Sequence, residues 1–225
     1  MMHLLLHILL KFRVSLSHRG KKIGVYIFDG ILFGDNRLNS LWHSRISGIV
    51  DKNTDTDYVT VNIAKHKLKL IKQWAWMLLV EWPTWQKLYT LIPLEGKTVL
   101  DVGAGCGETA LIFHLLGASK IIAIEPNKHA ISCLAENAKV NGWKIEIVPE
   151  YFNLKHLRYD FDFMKMDIEG AESILLDATD FHKPAIVEVH SKHTLKKFLA
   201  RGYKLLHAFK NDTYVVGIHM GPRCE

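Results

Sequence analysis

The chain has 225 residues, room for one large domain or for one domain with an appendage. With 48% hydrophobic, 23% charged and 10% aromatic residues, it has the composition of an ordinary globular protein with a substantial core, and a formal net charge of +6 fits either an acidic partner (nucleic acid, an anionic membrane) or simply surplus solvated lysine. Three widely spaced cysteines, Cys106, Cys133 and Cys224, show no metal-ligand spacing and argue against a disulfide framework, which points to a reducing, cytoplasmic compartment.

The leading stretch Met1 to Leu10 is apolar but too short to span a bilayer, and Lys11 and Arg13 follow it. It reads as a packed N-terminal helix. The alternative is an interfacial helix that brings residues 1–13 to a membrane surface, and no transmembrane segment is expected. Ile23 to Phe28 reads as a strand ended by Asp29-Gly30, and Asp51 to Asp57 as a polar loop. Tyr58 to Ile63 and Lys67 to Ile71 both alternate and predict a hairpin. From Gln73 to Leu91 the chain is aromatic-rich. Trp74, Leu78, Trp82, Trp85 and Tyr89 fall on one helical face, interrupted at Pro83, and form either a core stripe or a lid.

Beyond residue 92 the pattern becomes regular. Strands are predicted at 97–102, 120–125, 143–148, 161–166, 184–190, 203–209 and 213–219, and helices at 107–117, 127–140, 170–178 and 192–201. Asn127 suits a helix N-cap, and Gly142 a terminator. Such alternation predicts an α/β fold, a Rossmann-like seven-stranded, mostly parallel sheet with helices on both faces. The last two strands are joined only by the turn Lys210 to Thr213, so the C-terminal strand should be antiparallel. The expected division is an N-terminal α+β extension over 1–92 and a cofactor-binding domain over 93–225.

The first chemical signal is Asp101-Val102-Gly103-Ala104-Gly105-Cys106-Gly107-Glu108, between a strand and a helix. Glycines permit a tight turn and a close approach to a ligand. A dinucleotide loop, G-x-G-x-x-G, would need a third glycine at 108, where Glu108 stands; the third is Gly107. Acidic groups at the loop edge would repel a pyrophosphate but suit the cationic tail of S-adenosylmethionine. Glu125 ends the next strand, 20 residues after Gly105, where a carboxylate can accept hydrogen bonds from ribose hydroxyls. The loop resembles the nucleoside loop of class I S-adenosylmethionine-dependent methyltransferases; the alternative is a structural turn without a ligand. Cys106, inside it, reads as packing.

Ligands of such folds bind beyond the carboxyl ends of the parallel strands. Glu150 follows the third strand there, and Asp167, Glu169, Glu188 and His190 follow the next two. Glu172 falls in a first helical turn and reads as a cap. The run Lys165-Met166-Asp167-Ile168-Glu169-Gly170-Ala171-Glu172 and the later Glu188-Val189-His190 resemble motifs of the FkbM family of methyltransferases, as does Asp101-Val102-Gly103-Ala104-Gly105. This resemblance covers about residues 95–210. It implies S-adenosylmethionine as cofactor, lined by Asp101, Gly103, Gly105, Glu125 and Asp167, with Glu150 near the adenine. The implied acceptor is a hydroxyl on a sugar, glycan or small molecule.

In-line methyl transfer asks an enzyme mainly for alignment and exclusion of water. A hydroxyl acceptor also asks for a base. The expected catalytic set is His190 as base, Glu188, on the same strand face, to orient it or touch the substrate, and Asp167. No metal is expected; the alternative is a divalent cation on Asp167, Glu169 and Glu188. Two other functions compete. One is an RNA methyltransferase, drawing on the positive charge and on the lysines and aromatics of residues 58–89, although Asp167-Ile168-Glu169-Gly170 stands where base-amine methyltransferases carry an Asn/Asp-Pro-Pro-Tyr/Phe tetrapeptide. The other is a non-catalytic cofactor-binding protein.

Overall fold

A computed structural model of the chain describes residues 13–18, 21–28, 31–34, 58–63, 66–71, 74, 84–85, 87–209 and 212–220. The chain divides into two compact units, residues 1–84 and 85–225. The predicted N-terminal helix, its membrane-facing alternative, the polar loop at 51–57 and most of the aromatic stretch lie outside the described residues. Among the described residues no helix is long and apolar enough to cross a membrane.

The first unit contains an antiparallel sheet of β1 (Arg13–His18), β2 (Lys21–Phe28) and β3 (Ile31–Gly34), in the order β1-β2-β3. It also contains the expected hairpin, β4 (Tyr58–Ile63) with β5 (His66–Ile71). The period-two pattern explains β5: His66, Leu68 and Leu70 are buried on one face, while Lys67 on the other is exposed. Of these strands only β2, β4 and β5 are foreseen from the sequence; β1 and β3 each pair with β2.

The second unit runs β6 (Thr98–Val102), α1 (Glu108–Leu115), β7 (Lys120–Ile124), α2 (Lys128–Asn141), β8 (Ile145–Val148), β9 (Phe163–Met166), β10 (Ala185–Val189), α3 (Lys192–Ala200), β11 (Lys204–Ala208) and β12 (Tyr214–Ile218). Its seven strands form one sheet in the order β11-β12-β10-β9-β6-β7-β8. Only β12 runs against its neighbours, as the short turn before it requires. The inner strands are apolar because both of their faces are buried; Leu100, Val102, Ile122, Met164, Met166 and Val187 all lie in one core cluster. Residues 85–92, which the sequence pattern groups with the leading segment, pack with this unit: the Tyr89 ring meets Phe113 of α1 edge-on at 5.0 Å.

Local signals set the element ends. Asn127 caps α2 by accepting from the amides of His129 and Ala130, and Gly142 closes it at φ 66°, a conformation glycine adopts without strain. The helix predicted at 170–178 is a six-residue 3-10 helix, Glu172–Asp177, and a second one, Leu154–Arg158, was not foreseen. Segments this short gain little from α-helical cooperativity. Strand order reverses between β6 and β9, so the loops after these two strands flank a crevice at the carboxyl edge of the sheet.

Candidate active site

The glycine loop leaves β6 and meets the turn that leaves β9. Gly103 has φ +74°, and a Cβ there would sit 1.8 Å from the Asp167 carbonyl oxygen, so no other residue fits. The Asp167 amide in turn donates to Val102 O at 3.0 Å. Across the loop, Glu125 is 7% exposed and bridges two segments: its Oε2 accepts from Gly105 N at 2.9 Å and its Oε1 from Asn127 N at 2.8 Å. Each oxygen keeps a second lone pair for a further donor.

Asp101, by contrast, points into the protein. It is fully buried, accepts from Thr109 Oγ1 at 2.6 Å, and lies 3.3 Å from Lys165 Nζ. Parallel register puts Asp101 directly opposite Lys165. The lysine ammonium also donates to Gly103 O at 2.6 Å. Burial alone would lower the Lys165 pKa, but the charges of Asp101, Asp167 and Glu188 together outweigh it and raise the value, so the lysine stays charged. Glu108 opens α1 with its carboxyl folded beside Gly105, and burial pushes its pKa up to about 7 despite hydrogen bonds from the backbone of Glu108 and Cys106.

At the ends of β9 and β10, four carboxylates surround one imidazole. His190 Nδ1 lies 2.5 Å from Glu172 Oε1, and its Nε2 lies 3.5 Å from Glu169, 3.7 Å from Asp167 and 3.7 Å from Glu188. Glu169 (φ 53°) and Gly170 (φ 104°) turn the chain so that these groups converge, and Glu172 Oε1 also accepts from Gly170 N at 2.7 Å. Partial burial disfavours the charged ring. The hydrogen bond to Glu172 and the charges of Asp167, Glu172 and Glu169 prevail, and the His190 pKa is pushed up to about 9. His190 is therefore an imidazolium at neutral pH and itself supplies the cation among these acids. Ligand-type atoms of Asp167, Glu169 and His190 lie within 4.8 Å of one another. Asp167 Oδ1 is buried without a hydrogen-bond donor.

Of the residues singled out from the sequence, Gly103, Gly105 and Glu125 meet around the loop, while Asp167, Glu188 and His190 meet at the neighbouring strand ends. Asp101 supports the loop from within. Glu150 is turned to Lys155 at 2.7 Å and His156 at 3.3 Å, and the hydrogen bond from Lys155 holds its carboxyl below the ordinary range. Lys165, Thr109 and the His190 contact of Glu172 escaped the sequence reading. One signal for Lys165 was present: a single charge inside the apolar run Phe163-Met164-Lys165-Met166 needs a buried partner.

Comparison with known proteins agrees with the fold but not with the FkbM resemblance. Residues 84–168 match the family model for ribosomal protein L11 methyltransferase. The Aquifex aeolicus ribosomal protein L11 methyltransferase is 32% identical over 132 residues, which is 56% of this chain and 54% of that protein. The mouse electron transfer flavoprotein beta subunit lysine methyltransferase is 38% identical over 68 residues, 28% of this chain and 27% of that protein. The chain thus spans about half, or less, of the length of these relatives. In fold, the Pyrococcus abyssi tRNA (uracil-54, C5)-methyltransferase, solved with S-adenosyl-L-homocysteine, aligns with a TM-score of 0.54 at 14% identity, covering 73% of this chain and 45% of that one. The M. jannaschii tRNA m1G37 methyltransferase aligns with a TM-score of 0.52 at 16% identity, covering 73% and 56%.

The FkbM resemblance is overturned by the L11-methyltransferase match. The motifs that suggested it are local solutions: a glycine required where the loop touches the next strand's end, and a left-handed acidic turn. Neither identifies a family within the shared fold. The matched relatives are named for protein acceptors, so the expected sugar, glycan or small-molecule hydroxyl finds no support among them.

Proposed function

We propose that this protein is an S-adenosylmethionine-dependent methyltransferase whose acceptor is an amino group on a protein. The observation that carries the reading is the His190 imidazolium ringed by Asp167, Glu169, Glu172 and Glu188 at the edge of the crevice. The relatives named for protein L11 and for a lysine of a flavoprotein subunit support it.

The residues present suit the cofactor. Glu125 offers a buried carboxylate beside the Gly105 amide, and Asp167 offers an oxygen that lacks a donor. Gly103 and Gly105 would let the backbone approach it. S-adenosylmethionine supplies an electrophilic methyl group on a sulfonium. An amine that attacks a methyl group starts neutral and becomes positive, and carboxylates fixed near the nitrogen stabilise that developing charge. They also hold the incoming ammonium, whose proton passes to Asp167 or Glu188 and on to water before attack. His190, the base expected for a hydroxyl acceptor, has a pKa of about 9 and so no free lone pair at neutral pH. His190 then serves to hold the acids in place against their mutual repulsion, with Glu172 fixing the ring.

The test is transfer of a tritiated methyl group from S-adenosylmethionine by the full chain into separate protein, RNA and glycan fractions. The expected label is in protein and is recovered as methylated lysine or N-terminal amine after hydrolysis, with Asp167→Asn lowering the rate at least tenfold. Label confined to glycan overturns the amine reading. Label confined to RNA would favour a second reading, which the net charge of +6 supports, with the acidic cluster counting against it.

A further inference from the structure

We propose that Lys165 is the positioning residue of the cofactor loop: it fixes the Gly103 peptide without touching the ligand, and cofactor affinity depends on it. The inference rests on the reading of this loop as a cofactor site. Lys165 is 4% exposed, and its ammonium faces three acceptors that all belong to β6 and its loop: Gly103 O at 2.6 Å, Val102 O at 3.4 Å and Asp101 Oδ1 at 3.3 Å. The ammonium thus donates to two backbone carbonyls and pairs in charge with the Asp101 carboxylate, all on the loop and its own strand.

The loop needs such a clamp. Gly103 and Gly105 both lie at positive φ, +74° and +55°, and glycine has no Cβ to restrict the rotation of its peptide planes. Two buried charges of opposite sign take over that task. Lys165 on β9 holds the Gly103 carbonyl, and Glu125 at the end of β7 holds the Gly105 amide. The peptides between them are ordered before any ligand arrives, so binding does not have to supply that ordering. Asp101, fully buried, has its role here: it faces the ammonium at 3.3 Å and its charge favours the charged lysine, while Thr109 keeps Asp101 in place.

The test compares full-length wild type with Lys165→Met, with the double variant Asp101→Asn/Lys165→Met, and with Phe198→Leu. Lys165→Met alone strands a buried carboxylate and is open to misfolding; the double variant removes both charges. Phe198 lies in α3 against Tyr203 and reports a general loss of core stability. Two quantities are read: the Kd for S-adenosylhomocysteine by calorimetry, and amide exchange of residues 103–107 without ligand. In the folded double variant, Kd rises at least tenfold and loop exchange quickens at least tenfold, while Phe198→Leu changes neither beyond twofold. Kd and exchange within twofold of wild type in the double variant overturn the inference, and so does a double variant that does not fold. Wild type that fails to bind, with loop exchange still quickened in the double variant, sinks the cofactor reading and leaves the clamp standing.

Discussion

His190 carries a pH dependence whose sign follows from its surroundings. Its folded pKa of about 9 lies above the ordinary 6.5, so its protonation stabilises the folded state. That contribution is complete below about pH 6.5 and is lost as pH rises through about 9. Melting temperature should therefore fall across this interval in wild type and fall less in His190→Gln. Equal slopes in thermal melts of the two proteins would show that the ring does not bind its proton as described. The residue was legible as a candidate because it stands two positions after Glu188 on one strand. Its protonation state was not legible, since it depends on Glu172 and Glu169, which reach it from a different segment.

Among the elements, those whose ends carry their own chemistry were the easiest to read. Asn127 begins α2 and Gly142 ends it, each for a reason internal to its residue type. Replacing the Asn127 side chain removes the acceptor for two amides, and Asn127→Ala should cost about 1 kcal/mol. A urea unfolding series should show the midpoint shifted down with the slope unchanged; an unchanged midpoint would mean the cap contributes nothing. The Asn127 amide that binds Glu125 survives this change, so cofactor affinity should stay close to wild type. The segment at 172–177 was harder to read. Its apolar spacing suggested an α-helix, but six residues opened by a left-handed turn close instead as a 3-10 helix. The left-handed turn at Glu169 and Gly170, just before it, sets Glu172 within hydrogen-bond distance of both Gly170 N and His190 Nδ1.

For the whole molecule, the crevice at the strand-order reversal should act as a ligand-linked stabiliser. Cofactor that binds only the folded chain adds RT ln(1 + [L]/Kd), about 2.7 kcal/mol at a hundredfold excess over Kd. S-adenosylhomocysteine should accordingly raise the melting temperature in proportion to the logarithm of its concentration, whereas NAD at the same concentrations should not. A shift with NAD alone would return the loop to the dinucleotide reading that the position of Gly107 argues against. The family resemblance failed at this scale because a glycine loop and an acidic turn are each made by a few neighbouring residues and say nothing of the rest of the chain.

Beyond residue 92, the alternation of strands and main helices, the seven-stranded sheet with its one reversed strand, and the glycine turn were all written in the sequence. Each follows from periodicity or from a residue type acting on its near neighbours. The tertiary structure alone decided what the charged side chains do. Asp101 stood out in the sequence as a candidate cofactor contact, and its pairing with Lys165 came only from the parallel register that sets the two opposite each other. Glu172 looked like a helix cap and is the partner of His190. Such pairings join segments that the chain keeps far apart, and burial turns each into a strong interaction that no local pattern records.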